Sequence, residues 1–440
     1  MKKIIVILGA GSTYFTKGIV ESLCRKGGEW ELRLCDIDEQ CLDIAVNLSK
    51  RMVDVYEAPI TVKGDTDRLK LLPGAQAVVC TIGVGGRKAW AKDIFMFYDY
   101  GIYQVTGDTY GAGGVSRALR TIPALVAIAK DMEKICPDAI LYNFTNPMGA
   151  SIWALAQETK INTVGLCYGV AWYQYKLAEI IGVPFEETWS RAIGANHFTW
   201  ITDFEYRGKD AWPMVYDYMR KNKDSEEIKK QPYTWELFEV FGAFPCVGDG
   251  HICEFIPGFQ GKGAYYGKTF GIDTGGTVIK DYLDSWDRVF DEMADQAYGR
   301  KPLKTIAYNE AGQTFRDEDL FIDVLNASFG QSQIERTINL PNFGHAPGLP
   351  LGAALESTAI INGSGFHPLN YREIPPGIRA ILMRILGAQA LTVEAALKGD
   401  RRLVVQAFMA DLTAIYKCDA EKLTDRILLE HKEYLPHFWG

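Results

Sequence analysis

Nothing in the 440 residues supplies a run of ~20 uninterrupted apolar side chains, so no segment reads as membrane-spanning. Basic blocks are missing too. The formal net charge is −8, which excludes nucleic acid or an anionic membrane as the main partner. The nine cysteines show no paired spacing, and that odd count reads as reduced thiols rather than a disulfide framework. The first strand begins within the first residues, so no signal peptide is expected and the expected location is cytoplasmic. There is no internal repeat and no low-complexity tract. What remains is an ordinary globular composition, 48% hydrophobic and 23% charged, over a length that is long for one core and predicts two domains or one domain with a large second lobe. The aromatic content of 12% suits a carbohydrate site and an aromatic core equally, and so decides nothing alone.

The stretch around which the chain is organised is Met1 to Gly18. Ile4-Ile5-Val6-Ile7-Leu8 is an apolar run of the kind shown by a strand buried on both faces. It breaks into Gly9-Ala10-Gly11-Ser12, and from Thr16 the pattern is helical, with Ile19, Val20 and Leu23 on one side. A glycine turn between a parallel strand and a helix aims backbone N–H groups and the helix dipole at an anion, and a pyrophosphate fits there. The usual fingerprint has a further glycine where this chain has Tyr14; its next glycine is Gly18. A second strand, Glu31 to Cys35, ends in Asp36, an acid placed to accept hydrogen bonds from both ribose hydroxyls of an adenosine and to repel a 2′-phosphate. The residues expected around NAD are therefore Gly9, Gly11, Ser12 and Asp36. Gly83, from the turn after the strand Ala77–Ile82, and Asn143, at the end of the strand Ala139–Tyr142, join them.

Strands and helices alternate as far as about residue 190, which predicts a Rossmann-type doubly wound parallel sheet. The alternation stops near Ala192, and Phe198 to Phe204 alternates as an antiparallel strand does. The expected architecture is thus α/β, like the lactate and malate dehydrogenases. A nucleotide domain over residues 1–194 is followed by a mixed α/β domain for substrate and oligomerisation over 195–440. The helical region Gly113–Ile135 is expected to break near Pro123, and His431 and His437 are expected at the surface.

Open parallel sheets bind ligands beyond the carboxyl ends of their strands. Asn143, Asn146, Cys167 and the pair Asn196-His197 all follow predicted strands, and Asp108 precedes the long helix. A cysteine and a histidine thirty residues apart can meet to hold a metal with open positions; a buried thiol and a core histidine explain the same spacing. Gly248-Asp249-Gly250-His251 places an acid and an imidazole on a glycine-flexed loop, either as a proton-transfer pair or as a self-bonded turn. Ile338 to Asn342 opens a loop rich in glycine and proline around His345.

Taken in order, these pieces resemble glycoside hydrolase family 4, the NAD- and divalent-metal-dependent glycosidases. The resemblance rests on Gly9 to Ser12, Asp36 to Asp38, Gly107-Asp108-Thr109 with Gly113-Gly114, Asn143 to Pro147, and Gly165 to Cys167. Gly194 to Phe198, Gly248 to His251 and Asn339 to Pro341 complete it. The stretches Gly101 to Asp108 and Asn196 to Thr202 are similar to the α-glycosidase branch, notably α-galacturonidases. The resemblance implies a mechanism outside the two-carboxylate glycosidases. The sugar C3 is oxidised by NAD, C2 is deprotonated, the C1–O bond breaks by elimination, water adds, and the ketone is reduced again. It also implies Cys167 and His197 as ligands of Mn²⁺ or another divalent ion, Asp249 as a proton-transfer residue, and Asp108, Asn146, Asn196 and His251 around the sugar. Many α-acting members have a histidine after the cysteine; here it is Tyr168, either a second catalytic candidate or a residue that only reshapes the pocket. The family's habit implies a dimer or tetramer. The competing expectations are a lactate/malate-type dehydrogenase, for which Arg117 and Arg120 are candidate carboxylate clamps, and a non-catalytic NAD-binding protein.

Overall fold

The computed structural model describes residues 2–13, 15–256, 258–270, 272–273, 278–304, 317–413 and 416–439; Tyr14 lies outside them. Six strands, β1 (Lys3–Leu8), β2 (Trp30–Cys35), β3 (Ile60–Asp65), β4 (Ala77–Cys80), β5 (Ile140–Asn143) and β6 (Thr163–Gly165), pair in parallel in the spatial order 3-2-1-4-5-6. This is the dinucleotide-binding order, with its switch point at β1. The apolar run that opens the chain becomes the centre of this sheet because both its faces are covered: Ile5, Val6 and Ile7 are fully buried. At the edge, β3 has one residue buried and alternates outward, as a half-solvated strand does.

Seven antiparallel strands extend the same sheet: β7 (Thr188–Ala195), β8 (Phe198–Tyr206), β9 (Lys209–Asp210), β10 (Phe244–Cys246), β11 (Ile334–Pro341), β12 (Ala354–Asn362) and β13 (Gly365–Pro368). The seam lies between β6 and β11, where Asn339 faces Gly165. The later part of the chain also returns to the first: the helix Val278–Ala297 packs on Glu39–Val55, and Asp317–Ser328 packs on Thr16–Lys26. Ser22 Oγ donates to Asp319 Oδ1 at 2.7 Å across this contact. The helix Pro376–Lys398 is long and apolar enough to cross a membrane by composition; Ile378, Leu382, Ile385 and Leu386 are fully buried among the other helices.

Two sequence expectations are corrected. The helix Gly111–Ile135 runs unbroken through Pro123, since burial of its Leu119, Ile122 and Leu125 outweighs the one hydrogen bond the proline forgoes. His431 is not at the surface but fully buried, and His437 is half-buried. His431 continues the face of the helix Lys417–Glu430 that buries Leu423 and Ile427.

Asp411, just past the helix Arg401–Ala410, is a buried carboxyl whose Oδ1 accepts from the Thr413 amide at 2.6 Å while Oδ2 has no partner. Burial pushes its pKa up to about 7 from the ordinary 3.8. The folded chain thus prefers the neutral acid, and the associated stability is lost as pH rises from about 4 through 7. Asp411→Asn is expected to leave stability near pH 4 unchanged and to raise it progressively above that, by at most about 4 kcal/mol at pH 8. Urea unfolding at pH 4, 5.5 and 8 measures this, and a pH-independent difference would contradict it.

Candidate active site

The carboxyl ends of β1, β4, β5 and β6 open on one edge of the sheet. After β1, Gly9 takes φ +82°, and a side chain there would strike the Ile82 amide at 2.9 Å. Gly9 and Ala10 donate their amides to Cys35 O at 2.9 and 3.0 Å, and Ser12 Oγ accepts from the Phe15 amide at 3.1 Å. Gly11 donates its amide to Asp36 Oδ2 at 2.7 Å, and a Cβ at Gly11 would meet Cys41 Cβ at 2.5 Å. The turn and the acid at the end of β2 are therefore one unit, with backbone exposed where a side chain would close it. Gly83 lies in the turn after β4, ahead of the helix Gly86–Phe95. Asn143 is fully buried; its amide closes its own loop by donating to Thr145 O (2.9 Å) and accepting from Thr145 N (3.2 Å).

Beyond this edge Asp108, His197 and His251 meet. One ligand atom from each lies within 4.8 Å of the other two. Asp108 precedes the helix Gly111–Ile135, His197 sits in the turn between β7 and β8 with φ +68°, and His251 belongs to the helix Asp249–Phe255. The two imidazole rings lie 4.0 Å apart between centroids. Asp108 Oδ1 is 3.9 Å from His197 Nδ1 and accepts from Thr109 Oγ1 at 2.6 Å; Oδ2 accepts from Asn146 Nδ2 at 2.8 Å. Burial acts to raise the Asp108 carboxyl, but His251, His197 and Arg117 outweigh it and hold it below the usual carboxylate range. Burial lowers the His197 imidazole, His251 adding to the effect and Asp108 opposing it; burial also lowers His251. An ionised carboxylate beside two neutral imidazoles is the donor set a divalent metal takes, and His251 Nδ1 is buried with no protein partner.

Cys167 follows β6, half-buried, and is not one of the three converging groups. Its loop abuts the one after β10, since a Cβ on Gly169 would overlap Val247. Tyr168 packs on Phe144 (5.7 Å between centroids), which packs on Phe15 at 5.4 Å, so its ring belongs to an aromatic row leading to the glycine turn. Asn146 Oδ1 and Asn196 Oδ1 are buried without partners. Asp249 is buried and raised in pKa by that burial; its carboxylate accepts from the Tyr233 amide (3.0 Å), the Thr234 amide (2.7 Å), Thr234 Oγ1 (2.5 Å) and the Tyr265 hydroxyl. It thereby caps the helix Pro232–Phe241.

Arg117 links the two regions. Its Nε donates to Asn146 O at 3.1 Å, and its Nη2 lies 3.9 Å from where a Cβ on Gly83 would sit. Two buried acids absent from the sequence reading support the cluster. Glu254 Oε1 accepts from the Thr106 and Gly107 amides at 3.0 and 2.5 Å, holding the loop that presents Asp108. Glu356 on β12 accepts from Thr199 Oγ1 (2.6 Å) and Asn196 Nδ2 (3.4 Å) beneath the His197 turn, and burial raises its pKa to about 7. A signal existed for each: Glu254 is one helical turn from His251, and Glu356 interrupts an otherwise uncharged strand.

A Rossmann sheet with a buried carboxylate–imidazole cluster at its carboxyl edge defines an α/β enzyme whose chemistry lies at the mouth of a nucleotide cleft. The chain belongs to family 4 of the glycosyl hydrolases: it matches "Family 4 glycosyl hydrolase" over residues 3–183 and "Family 4 glycosyl hydrolase C-terminal domain" over 192–414. It is therefore a glycosidase. It is 28% identical to the α-galactosidase of Bacillus subtilis strain 168, over 100% of both chains. It is 29% identical to the α-galacturonidase of Thermoanaerobacterium saccharolyticum, over 98% of this chain and 96% of the relative. The fold is that of a 6-phospho-α-glucosidase from gut microorganisms in complex with NAD and Mn²⁺ (TM-score 0.84, 18% identity, 99% of each chain).

Proposed function

We propose that this glycosidase cleaves α-glycosides, with α-galacturonides the first candidates, by oxidation at C3, proton removal at C2, elimination, hydration and re-reduction. The observation that carries the reading is the meeting of Asp108, His197 and His251 in a buried pocket tied through Arg117 to the nucleotide turn. When bound, NAD supplies a hydride acceptor and donor, and a divalent cation supplies a Lewis acid against charge developing on the sugar oxygens. The residues that would hold the nucleotide are Gly9, Gly11, Ser12 and Gly83, with Asp36 at the ribose hydroxyls and Asn143 beneath. For the cation they are His197 and Cys167, Asp108 and His251 bringing two further donors. The donor chemistry fits, because deprotonated oxygen and neutral nitrogen are the forms in which these groups ligate.

Within the pocket Asp108, Asn146 and Asn196 orient the sugar hydroxyls; the two unpartnered amide oxygens are acceptors waiting for such donors. Asp249 and Tyr168 are the proposed proton-transfer groups. Asp108 and His197 are buried, which strengthens hydrogen bonds to the reacting hydroxyls. The division into residues 1–194 and 195–440 remains our proposal for how the nucleotide and substrate functions are apportioned.

Incubation of an aryl α-galacturonide and its neutral α-galactoside counterpart with enzyme, NAD⁺, Mn²⁺ and a thiol reductant in D₂O tests this. Aryl release with one deuterium at C2 of the freed sugar is expected. Release with protium retained at C2 would overturn the mechanism, and no release from either α-glycoside would overturn the substrate class.

A further inference from the structure

The hydroxyl of Thr109 stands between two members of the cluster, 2.6 Å from Asp108 Oδ1 and 2.7 Å from His197 Nδ1. It has one proton to donate, and a carboxylate only accepts. Asp108 is held as an acceptor on its other oxygen too, by Asn146 Nδ2 at 2.8 Å. The Thr109 proton therefore goes to Asp108, and the remaining contact is satisfied only if His197 Nδ1 carries a proton and donates it to the Thr109 oxygen. Thr109 and His197 are both buried, 3% and 9% exposed, and burial strengthens both bonds.

We propose that Thr109 is a positioning residue that fixes His197 as the Nδ1–H tautomer and leaves Nε2 as the nitrogen offered to a divalent cation. The inference rests on the metal-dependent reading above, and it adds which ring nitrogen ligates and what enforces that choice. The chain His197 Nδ1–H to Thr109 O–H to Asp108 is an outer-shell support of the kind that orients a ligating imidazole and raises its basicity. It also gives Asp108 a task beside His197 that does not require it to touch the cation. The His251 ring lies against the same imidazole, 4.0 Å away between centroids.

The test uses metal-free protein labelled with ¹⁵N in its six histidines, together with Thr109→Val and Thr109→Ser. Long-range ¹H–¹⁵N spectra report the tautomer of His197, assigned by its loss in His197→Asn, and electron paramagnetic resonance titration reports the dissociation constant for Mn²⁺. The wild type and Thr109→Ser are expected to show the Nδ1–H pattern and affinities within about threefold of each other. Thr109→Val is expected to lose the single-tautomer pattern and to bind Mn²⁺ about 10–100-fold more weakly. An Nε2–H pattern in the wild type, or an unchanged pattern and affinity in Thr109→Val, overturns the proposal. Absence of Mn²⁺ binding by the wild type would instead count against the metal-dependent reading, and the metal-free spectrum would still decide the tautomer. Should Thr109→Val fold poorly, the wild-type and Thr109→Ser spectra decide it in the same way.

Discussion

Replacing Asp93 with alanine is expected to destabilise the protein by about 3–5 kcal/mol, the cost of leaving a buried charge without its counter-ion. Asp93 is wholly buried on the helix Gly86–Phe95 and is surrounded by donors. Arg120 grips it with both ends of its guanidinium, Nη1 to Oδ1 at 2.8 Å and Nη2 to Oδ2 at 2.5 Å. Ser116 Oγ donates at 2.7 Å, and His431 Nε2 lies 3.0 Å from Oδ1. Burial alone would raise the Asp93 carboxyl; Arg120 and His431 reverse that and hold it below the usual carboxylate range. Without it, Arg120 keeps, among the described residues, the Val84 and Ser116 carbonyls at 2.9 and 3.0 Å. The effect reaches past stability, because Val84 lies in the turn after β4 and His431 ends the last long helix. Asp93→Ala should therefore also loosen the C-terminal segment, whose Tyr434 ring packs on Gly85. Urea unfolding at pH 7 gives the free energy, and hydrogen exchange over residues 417–439 gives the local effect. A loss below 1 kcal/mol would mean that the triad is no tighter than a surface pair.

The parallel half of the fold is legible in the sequence because a strand covered on both faces has to be apolar throughout. Ile4 to Leu8, Ala77 to Cys80 and Ala139 to Tyr142 could hardly be anything else between glycine turns. What periodicity cannot express is that β11 and β12, more than 130 residues after β7, insert between β6 and β7 and make one sheet of both halves. That pairing is a long-range contact, set by which strand edges the two halves leave open to one another. His431 was misread for a related reason: a histidine near a chain end looks solvated until the acid that recruits it, Asp93, is seen next to it.

The site divides in the same way. Glycines and acids that act through the backbone turn, Gly9, Gly11 and Asp36, are readable because their spacing along the chain is their geometry. Asp108, His197 and His251 come from three separate elements; the family resemblance implied His197 with Cys167 for the cation and Asp108 and His251 around the sugar, and only the fold brings the three together. Their supports, Thr109, Glu254 and Glu356, leave only faint signals in the sequence, since each works through a neighbour rather than by its own chemistry. For Asp249 the sequence left two uses open, proton transfer and a turn. Its four donors show that the carboxylate also has a helix to cap, a task its glycine-flanked position does not announce.

Removing the imidazole of residue 197 is expected to lower glycosidase activity about a thousandfold, the equivalent of ~4 kcal/mol of lost stabilisation at the reacting centre. The choice of substitution matters. His197 holds φ +68°, a left-handed conformation that asparagine tolerates and alanine does not, so His197→Ala mixes backbone strain of order 1 kcal/mol with the loss of the ring. His197→Asn keeps the turn between β7 and β8 and still deletes the donor. Both variants leave Thr109 and Asp108 without the third member of their chain, yet neither touches the Gly9–Asp36 unit on the other side of the cleft. The two functions should then separate. Mn²⁺ affinity and aryl glycoside turnover fall together, while NAD binding, followed by fluorescence quenching, stays within about threefold of wild type. Activity retained in His197→Asn, with Mn²⁺ still bound, would remove the imidazole from the chemistry and leave Cys167, Asp108 and His251 to account for it. Loss of NAD binding in step with activity would show instead that the turn at residue 197 shapes the whole cleft and that its ring is incidental.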